Sequence, residues 1–274
     1  MHDGALPAWE ESVKIDLEGK VIVITGAAQG LGAEIARTAA GCGAEALFLT
    51  DRNAVDGMAV AQDLVSFGHR CAFHEADLAG PDAPREIIGA ALERFGRIDC
   101  LVNAAGMTDR ADFTDGRVET WDRLYAVNAR APFFLMQGAI NDMLRRGSVG
   151  TILNILSMNA HCGAPDLAIY ASTKGALSTL TRNAANAHLA DRIRVNGINV
   201  GWCDTPAERN MQAVTLGKGD EWLAAAAQNL PLGRLLQMDE VARLAVFLLS
   251  DAAGLTTGAL IDMEQAVVGA PAQL

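Results

Sequence analysis

The sequence predicts a doubly wound parallel α/β fold of about seven strands with helices on both faces, as one domain over residues 1–274. Short apolar runs alternate with longer helix-like stretches, and this alternation implies right-handed crossovers between parallel strands. The runs are rich in β-branched residues, as expected of strands buried on both faces. No linker, low-complexity tract or charge run divides the chain.

The first half of the chain predicts four strands joined by three helices. The strands are expected at residues 21–24, 46–49, 70–74 and 100–102, and the helices at residues 31–41, 54–67 and 84–95. Pro84 suits the first turn of its helix, where the missing N–H is no loss.

The second half repeats this rhythm. Helices are expected at residues 118–145, 170–189 and 239–249, and strands at residues 151–156, 194–198 and 259–263. Residues 200–232, called the lid segment below, are rich in turn residues and are expected to form an irregular cover over a substrate site.

Composition excludes several classes of function. The formal net charge is −11, and the one basic pair, Arg145-Arg146, is better explained as cations at a helix C-terminus than as a nucleic-acid site. We therefore expect no nucleic-acid partner. The five cysteines are odd in number and form no CxxC unit, so we expect no disulfide framework, no metal site and a reducing, cytoplasmic location.

Two further features argue against a membrane or export. Residues 1–20 are polar and carry five acidic side chains, unlike a signal peptide. No apolar run approaches the length of a membrane span, so we expect no membrane partner.

A glycine-rich turn, Gly26-x-x-x-Gly30-x-Gly32, joins the first strand to the first helix. Glycines there permit a tight turn, and the helix N-terminus offers N–H groups to a pyrophosphate. The position predicts a Rossmann-type dinucleotide site, although turns also use glycine without any ligand. The residues expected to contact the cofactor here are Gly26, Gln29, Gly30, Leu31 and Gly32.

Asp51 ends the second strand and favours NAD over NADP. A carboxylate there accepts hydrogen bonds from the adenosine ribose and repels a 2′-phosphate. The alternative is an ordinary helix cap. Arg52 follows directly and weakens the distinction, because arginine can pair with a 2′-phosphate.

Tyr170 and Lys174 stand one helical turn apart and predict an acid/base pair. A free phenol has a pKa near ~10, and a nearby cation favours the phenolate. To lower the pKa of the phenol by roughly 2–3, the site must favour the phenolate over the phenol by about 3–4 kcal/mol. The alternative is a half-buried tyrosine beside a lysine that reaches solvent. Ser157 ends a strand thirteen positions earlier, at the sheet edge where ligands bind, and can donate to a substrate oxygen.

Taken together and in order, these residues resemble the classical short-chain dehydrogenase/reductase family. The resemblance runs from Leu17 to about Met263. The matching motifs are Thr25–Gly32, Asp77-Leu78, Asn103-Ala104-Ala105-Gly106, Asn128, Ser157, Tyr170 with Lys174, Arg194-Val195-Asn196 and Pro231-Leu232-Gly233-Arg234.

The resemblance implies a role for each matching residue. Tyr170 is implied as acid/base, Lys174 as the residue that lowers its pKa and binds the nicotinamide ribose, and Ser157 as the residue that orients the substrate oxygen. Asn128 is implied to hold a water that relays protons from Lys174. The other implied cofactor contacts are Asp77 and Leu78 at the adenine, Asn103, Ala104 and Gly106 beside the cofactor, and Val200 and Thr205 near the nicotinamide.

The chain departs from the family pattern twice. Val200-Gly201 stands where the family has Pro-Gly, which is expected to loosen the start of the lid segment. Met263-Glu264-Gln265 replaces Asp-Gly-Gly after the last strand and puts the family's C-terminal subunit contact in question.

The substrate expectation is a secondary alcohol or carbonyl compound, with a sugar or polyol favoured. Asn159, His161 and Trp202 are expected to contact it beside Ser157 and Tyr170; a solvated loop histidine is the alternative for His161. An NADPH-dependent carbonyl or 3-oxoacyl reductase and a dinucleotide sensor without turnover are the alternatives. The resemblance also implies a homo-oligomer, a homotetramer paired through residues 118–145 and 170–189.

Overall fold

The computed structural model describes residues 14–270, which contain seven strands. They are β1 Val21–Thr25, β2 Ala46–Asp51, β3 Cys71–Glu75, β4 Cys100–Asn103, β5 Gly150–Ser157, β6 Ile193–Val200 and β7 Leu260–Met263. All pairings are parallel, and the order is β3-β2-β1-β4-β5-β6-β7. The predicted doubly wound sheet is confirmed. The prediction of no signal peptide concerns mainly residues 1–13, which lie outside the described range.

Residues 14–270 contain nine α-helices. They are α1 Gly30–Gly41, α2 Ala54–Ser66, α3 Ala83–Phe95, α4 Val118–Tyr125, α5 Ala131–Arg146, α6 Ala168–Ala187, α7 Pro206–Asn210, α8 Trp222–Gln228 and α9 Met238–Leu249. None of these is long and apolar enough to cross a lipid bilayer.

Two apolar cores lie on opposite faces of the sheet because side chains alternate along each strand. In β1, Ile22 packs in the core with α1 and α9, and Val23 packs in the core with α3, α5 and α6. Both side chains are 0% exposed. Complete burial on both faces explains why the strands appear in the sequence as continuous apolar runs.

A π-helical turn, Ala126–Arg130, joins α4 to α5, where the sequence predicts one regular helix over residues 118–145. Pro132 explains the difference. In an α-helix the carbonyl of Asn128 would accept from the N–H of residue 132, and proline has none. Such turns are frequent at functional sites, and this one carries the fully buried Asn128.

The lid segment contains α7, a second π-helical turn at Met211–Thr215, and α8. The expectation that it is irregular is therefore wrong. Thr205 caps α7 by accepting from Glu208 N, and Pro206 suits the first helical position. The alanine run of α8 has high helix propensity, a signal that outweighs the neighbouring turn residues.

Candidate active site

A cavity of about 740 Å³ lies over the carboxyl ends of the strands, where the strand order reverses between β1 and β4. Open α/β sheets bind ligands at this point. The predicted site residues that line it are Gly26, Gln29, Gly30, Leu31, Gly32, Asp51, Arg52, Asp77, Leu78, Ala104, Gly106, Ser157, Asn159, Tyr170, Lys174, Val200, Trp202 and Thr205. The fold thus gathers residues that are up to 179 positions apart, from Gly26 to Thr205, around one cavity.

The glycine turn at one end of the cavity has no room for side chains. Gly26 has φ +69°, and a Cβ there would lie 2.7 Å from the backbone of Ala105. A Cβ on Gly32 would lie 2.3 Å from the carbonyl oxygen of Gly26. Helix α1 begins here with no side-chain cap and no acidic residue in its first turn. Its N–H groups and positive dipole end suit a phosphate, so the turn fits a dinucleotide.

Three contacts hold this turn against its neighbours. Thr25 Oγ1 accepts from the backbone N–H groups of Ala104 and Ala105, each at 3.1 Å. Ala27 N donates to the carbonyl oxygen of Thr50 at 3.2 Å. The hydroxyl of Thr50 lines the cavity and is buried without a partner in the described part of the chain.

Asp51 is fixed by two backbone amides. Its Oδ2 accepts from Ala28 N at 3.2 Å and its Oδ1 from Asn53 N at 2.9 Å. The carboxylate therefore joins β2 to the glycine turn and directs negative charge into that end of the cavity. The exposed Arg52 also lines the cavity, so both charges considered in the sequence reach the same end.

Ser157 is 5% exposed and ends β5 at the opposite end of the cavity. Its Oγ accepts from the backbone N of Asn159 at 3.2 Å and from Asn159 Nδ2 at 3.3 Å. A hydroxyl has two acceptor lone pairs and one proton to donate. With both lone pairs engaged, Ser157 is left as a hydrogen-bond donor.

Tyr170 and Lys174 lie side by side in the first half of α6, and both are buried. Lys174 Nζ lies 5.9 Å from the centre of the Tyr170 ring and donates to the carbonyl oxygen of Ile155 at 2.8 Å. This bond ties the ammonium group to β5, next to Ser157.

The expected lowering of the pKa of Tyr170 is wrong for this geometry. Burial raises the pKa of the Tyr170 phenol, the Ser157 hydroxyl opposes this, and the Glu208 carboxylate adds to the rise. Burial also lowers the pKa of Lys174 to about 8. The sequence shows that the phenol and the amine are neighbours but not that both are removed from water, and desolvation disfavours both charged forms.

Asn128 and Asn103 do not line the cavity but support residues that do. The side chain of Asn128 accepts from Met107 N at 2.9 Å and donates to Met107 O at 2.9 Å and to Thr173 Oγ1 at 3.0 Å. It thereby joins α6 to the loop after β4. Asn103 Nδ2 donates to Asn154 Oδ1 at 2.8 Å, which links β4 to β5. The side chain expected to contact the cofactor is thus used within the sheet.

His161 lies outside the cavity lining, contrary to its predicted role in substrate binding. Its Nε2 is 2.9 Å from Asp262 Oδ1, which also accepts from Asn199 Nδ2 at 2.7 Å. The ring therefore ties the turn after β5 to β7. Its partner stands 101 positions away, so the sequence gives no sign of this pairing.

Comparison with known proteins identifies the family. A family model described as enoyl-(acyl carrier protein) reductase matches residues 26–265. This chain belongs to the short-chain dehydrogenase/reductase family. The cis-4-hydroxycyclohexanecarboxylate dehydrogenase of Sinomonas cyclohexanicum is 32% identical over 246 residues, covering 89% of this chain and 95% of that protein.

Two sugar-related members of the short-chain dehydrogenase/reductase family are also similar. The L-rhamnose 1-dehydrogenase (NAD(P)(+)) of Sphingomonas sp. (strain SKA58) is 30% identical over 245 residues, covering 89% of this chain and 94% of that protein. The crystal structure of L-sorbose reductase from Gluconobacter frateurii, complexed with NADPH and L-sorbose, has TM-score 0.86 and 28% identity, covering 94% of this chain and 100% of that one. The chain is thus an oxidoreductase related to sugar dehydrogenases.

The two segments that depart from the short-chain dehydrogenase/reductase pattern, at Val200-Gly201 and at Met263-Glu264-Gln265, lie side by side. Glu264 Oε2 accepts from the backbone N of Trp202 at 2.9 Å, and a Cβ on Gly201 would lie 2.0 Å from the same oxygen. The space that Gly201 leaves open is therefore filled by the Glu264 carboxylate. The start of the lid segment, expected to be loose without proline, is instead held by this hydrogen bond.

The residue after Glu264 holds the end of the lid segment. Gln265 Oε1 accepts from Leu232 N at 2.8 Å, and its Nε2 donates to the carbonyl oxygen of Arg234 at 2.6 Å. The segment that replaces the family's glycines thus contacts both ends of the lid.

The sequence reasoning missed Arg110 and Glu264 as lining residues of the cavity. Arg110 lies in a loop after β4 and carries no motif. Glu264 could have been found from the sequence, because it stands where the family has glycine.

Proposed function

We propose that this chain is an NAD-dependent dehydrogenase that moves hydride between a secondary alcohol or carbonyl substrate of the sugar or polyol class and the nicotinamide ring. The observation that carries the proposal is the convergence of Ser157, Tyr170 and Lys174 with the glycine turn around one cavity. A dinucleotide-binding protein without turnover needs the glycine turn but not Ser157, Tyr170 and Lys174.

The cofactor fits the residues at the β1–β4 end. The glycine turn and the start of α1 would hold the pyrophosphate, Asp51 the adenosine ribose, and Asp77 with Leu78 the adenine. Lys174 and Thr205 would hold the nicotinamide half. Bound NAD⁺ supplies the hydride acceptor, and the chain supplies position and proton transfer.

The proton passes through Tyr170. In oxidation the phenolate removes the proton of the substrate hydroxyl, and in reduction the phenol returns it. Ser157, oriented as a donor by Asn159, hydrogen bonds to the substrate oxygen and stabilises its developing negative charge. Lys174 holds a positive charge near the phenolate. Asn128 bonds α6 through Thr173, and its backbone carbonyl at the π-helical turn would bind a water that relays protons from Lys174.

The substrate class rests on the polar groups at the second end of the cavity. Asn159, Trp202 and Glu208 line it beside apolar side chains such as Met158 and Met211. This mixture suits a compound with several hydroxyl groups. Two of the similar proteins are named for the sugars L-rhamnose and L-sorbose, which supports the same class.

The test is a panel of polyols, sugars and hydroxy acids assayed for NADH and NADPH formation, in the wild type and in Tyr170→Phe. Loss of a general acid/base costs about 10²–10⁴-fold in kcat. Tyr125→Phe is the matched control, because Tyr125 is the only other tyrosine in the sequence and its hydroxyl contacts Ser172 at 3.1 Å. Full turnover by Tyr170→Phe would disprove the mechanism.

The same panel separates the alternatives. Turnover confined to NADPH would favour the carbonyl or 3-oxoacyl reductase, for which Arg52 supplies a cation beside the ribose site. Cofactor binding without turnover of any compound would favour the sensor.

We also propose that the chain forms a homotetramer in the cytoplasm. Trp121, Phe133 and Phe134, on α4 and α5, are 45%, 41% and 45% exposed, which leaves an aromatic face on the helices that the resemblance assigns to subunit pairing. The molar mass in solution from light scattering measures this directly.

A further inference from the structure

The Glu208 carboxylate lies at the substrate end of the cavity on the first turn of α7. Its charge is close enough to raise the pKa of the Tyr170 phenol. It therefore stands near the reacting centre, yet neither the proton transfer nor cofactor binding described above uses it.

Two donors fix one of its oxygens. Glu208 Oε1 accepts from Trp202 Nε1 at 2.7 Å and from Gln212 Nε2 at 2.7 Å. An indole N–H can only donate. Gln212 is 4% exposed, and its Oε1 accepts from Lys218 Nζ at 2.6 Å; because an ammonium group can only donate, the amide nitrogen must face Glu208.

The second oxygen of the carboxylate remains available. Within residues 14–270, Glu208 Oε2 has no hydrogen-bond or ion-pair partner. An ionised carboxylate accepts hydrogen bonds and donates none. A ligand group that binds Oε2 must therefore be a donor, such as a hydroxyl, and a ligand carboxylate would be repelled.

We propose that Glu208 is a specificity-determining residue that accepts a hydrogen bond from a hydroxyl of a neutral polyhydroxy substrate and disfavours substrates bearing a carboxylate at that position. The inference rests on the proposed function, since it names the substrate that the same site selects. It predicts a preference for neutral sugars or polyols over the corresponding sugar acids.

The cations on the cavity wall have to be weighed against this. Lys174 donates to the carbonyl oxygen of Ile155 beside Tyr170, and Arg52 lies at the cofactor end. Arg110 lines the same cavity and would attract an acidic substrate if its guanidinium were free. Its guanidinium is already paired with the carboxylate of Asp166, so the pair carries no net charge. Among the residues described, no cation pairs with Glu208, because Lys218 reaches it only through the neutral amide of Gln212.

The experiment compares neutral polyols and sugars with the sugar acids of the same carbon skeleton, in the wild type and in Glu208→Gln. A hydrogen bond to a charged group is worth enough to change kcat/KM by about tenfold to a hundredfold. We expect Glu208→Gln to lower kcat/KM for the neutral compound by at least about tenfold. The ratio of kcat/KM for the neutral compound to kcat/KM for the sugar acid should fall as well. Glu221→Gln is the control, since Glu221 is exposed in the same lid segment and does not line the cavity.

Calorimetric binding of the same pairs makes every outcome decisive. A wild type that prefers the acid, or a preference unchanged in Glu208→Gln, would overturn the inference. Binding of neutral compounds that depends on Glu208, without any turnover, would refute the proposed dehydrogenase and leave the specificity standing. Absence of binding to any neutral compound would overturn the specificity itself, even where acids are turned over.

Discussion

Replacing Asp51 with asparagine should move cofactor preference from NAD toward NADP. In the wild type both carboxylate oxygens accept backbone N–H groups, from Ala28 and Asn53, so the charge cannot turn away from an adenosine 2′-phosphate. Two unit charges about 4 Å apart interact by about 4 kcal/mol at an effective dielectric constant near 20. A phosphate carries more than one charge, but Asp51 is partly exposed, and salt and water screen the interaction.

We expect this repulsion to discriminate against NADP by roughly 1.5–3 kcal/mol, or about 10–150-fold in kcat/KM. Asp51→Asn keeps one oxygen acceptor and removes the charge. We therefore expect the ratio of kcat/KM with NAD to that with NADP to fall by about 10–100-fold. Most of the change should appear in KM for NADP, because the repulsion acts on binding.

The assay is initial-rate formation of NADH and NADPH at low ionic strength, repeated at high salt. Asp63→Asn is the matched control, since Asp63 is an exposed acid on α2 away from the cavity lining and should leave the ratio unchanged. A second arm, Arg52→Ala in the Asp51→Asn background, should reduce NADP use if Arg52 pairs with the phosphate. The reasoning is refuted by a wild type that prefers NADP or by a ratio that stays within twofold in Asp51→Asn.

Two further predictions concern the lid and the catalytic phenol. Gly201→Ala should displace the Glu264 carboxylate, because the new Cβ would lie 2.3 Å from its Cδ, and should raise substrate KM by about tenfold by freeing Trp202 N. Gly89→Ala, where a Cβ meets nothing within 4 Å, is the control. Equal KM values in the two variants would show that the hydrogen bond from Trp202 N to Glu264 does not hold the lid. Because burial and Glu208 raise the pKa of Tyr170, oxidation, which needs the phenolate, should accelerate as pH rises into the alkaline range. Reduction, which needs the phenol, should stay level through neutral pH; pH–rate profiles check this, and an oxidation optimum below neutral pH would be incompatible with it.

The sheet was predictable because its evidence is local. Each strand appears as an apolar run since alternate side chains enter two different cores, as Ile22 and Val23 do. The glycine turn was equally visible, because the close approach of Gly32 to Gly26 depends on residues six positions apart. Most of the residues expected at the cofactor end do line the cavity.

Three of the wrong expectations share a different cause, which is contact between distant parts of the chain. His161 stands beside the catalytic strand in sequence, but its ring pairs with Asp262. The departures at Val200 and at Met263-Glu264-Gln265 looked independent, but the fold places the Glu264 carboxylate in the space left by Gly201, the neighbour of Val200. The direction of the pKa shift of Tyr170 likewise depends on how much water the whole fold excludes, a quantity that no motif carries.

One missed feature did have a local signal. Pro132 removes the donor that an α-helix needs at the carbonyl of Asn128, and the helix responds with the π-helical turn Ala126–Arg130. Hydrophobic periodicity does not detect this, because it follows side chains and not backbone donors. Checking that each carbonyl of the predicted helix has an N–H donor four residues later would have located the π-helical turn.

The arrangement of the lid connects the two ends of the cavity through Thr205. Its hydroxyl caps α7 by accepting from Glu208 N at 3.1 Å, so the helix that carries the proposed substrate-reading carboxylate begins at a residue expected to contact the cofactor. A second support of the lid, the hydrogen bond from Trp202 N to Glu264 Oε2, comes from the segment that follows β7. A cofactor that orders Thr205 would therefore orient Glu208 as well, while Trp202 stays in place to hold Glu208 Oε1. If both proposals hold, cofactor binding should tighten substrate binding, and calorimetric titration of a polyol with and without NAD measures this coupling.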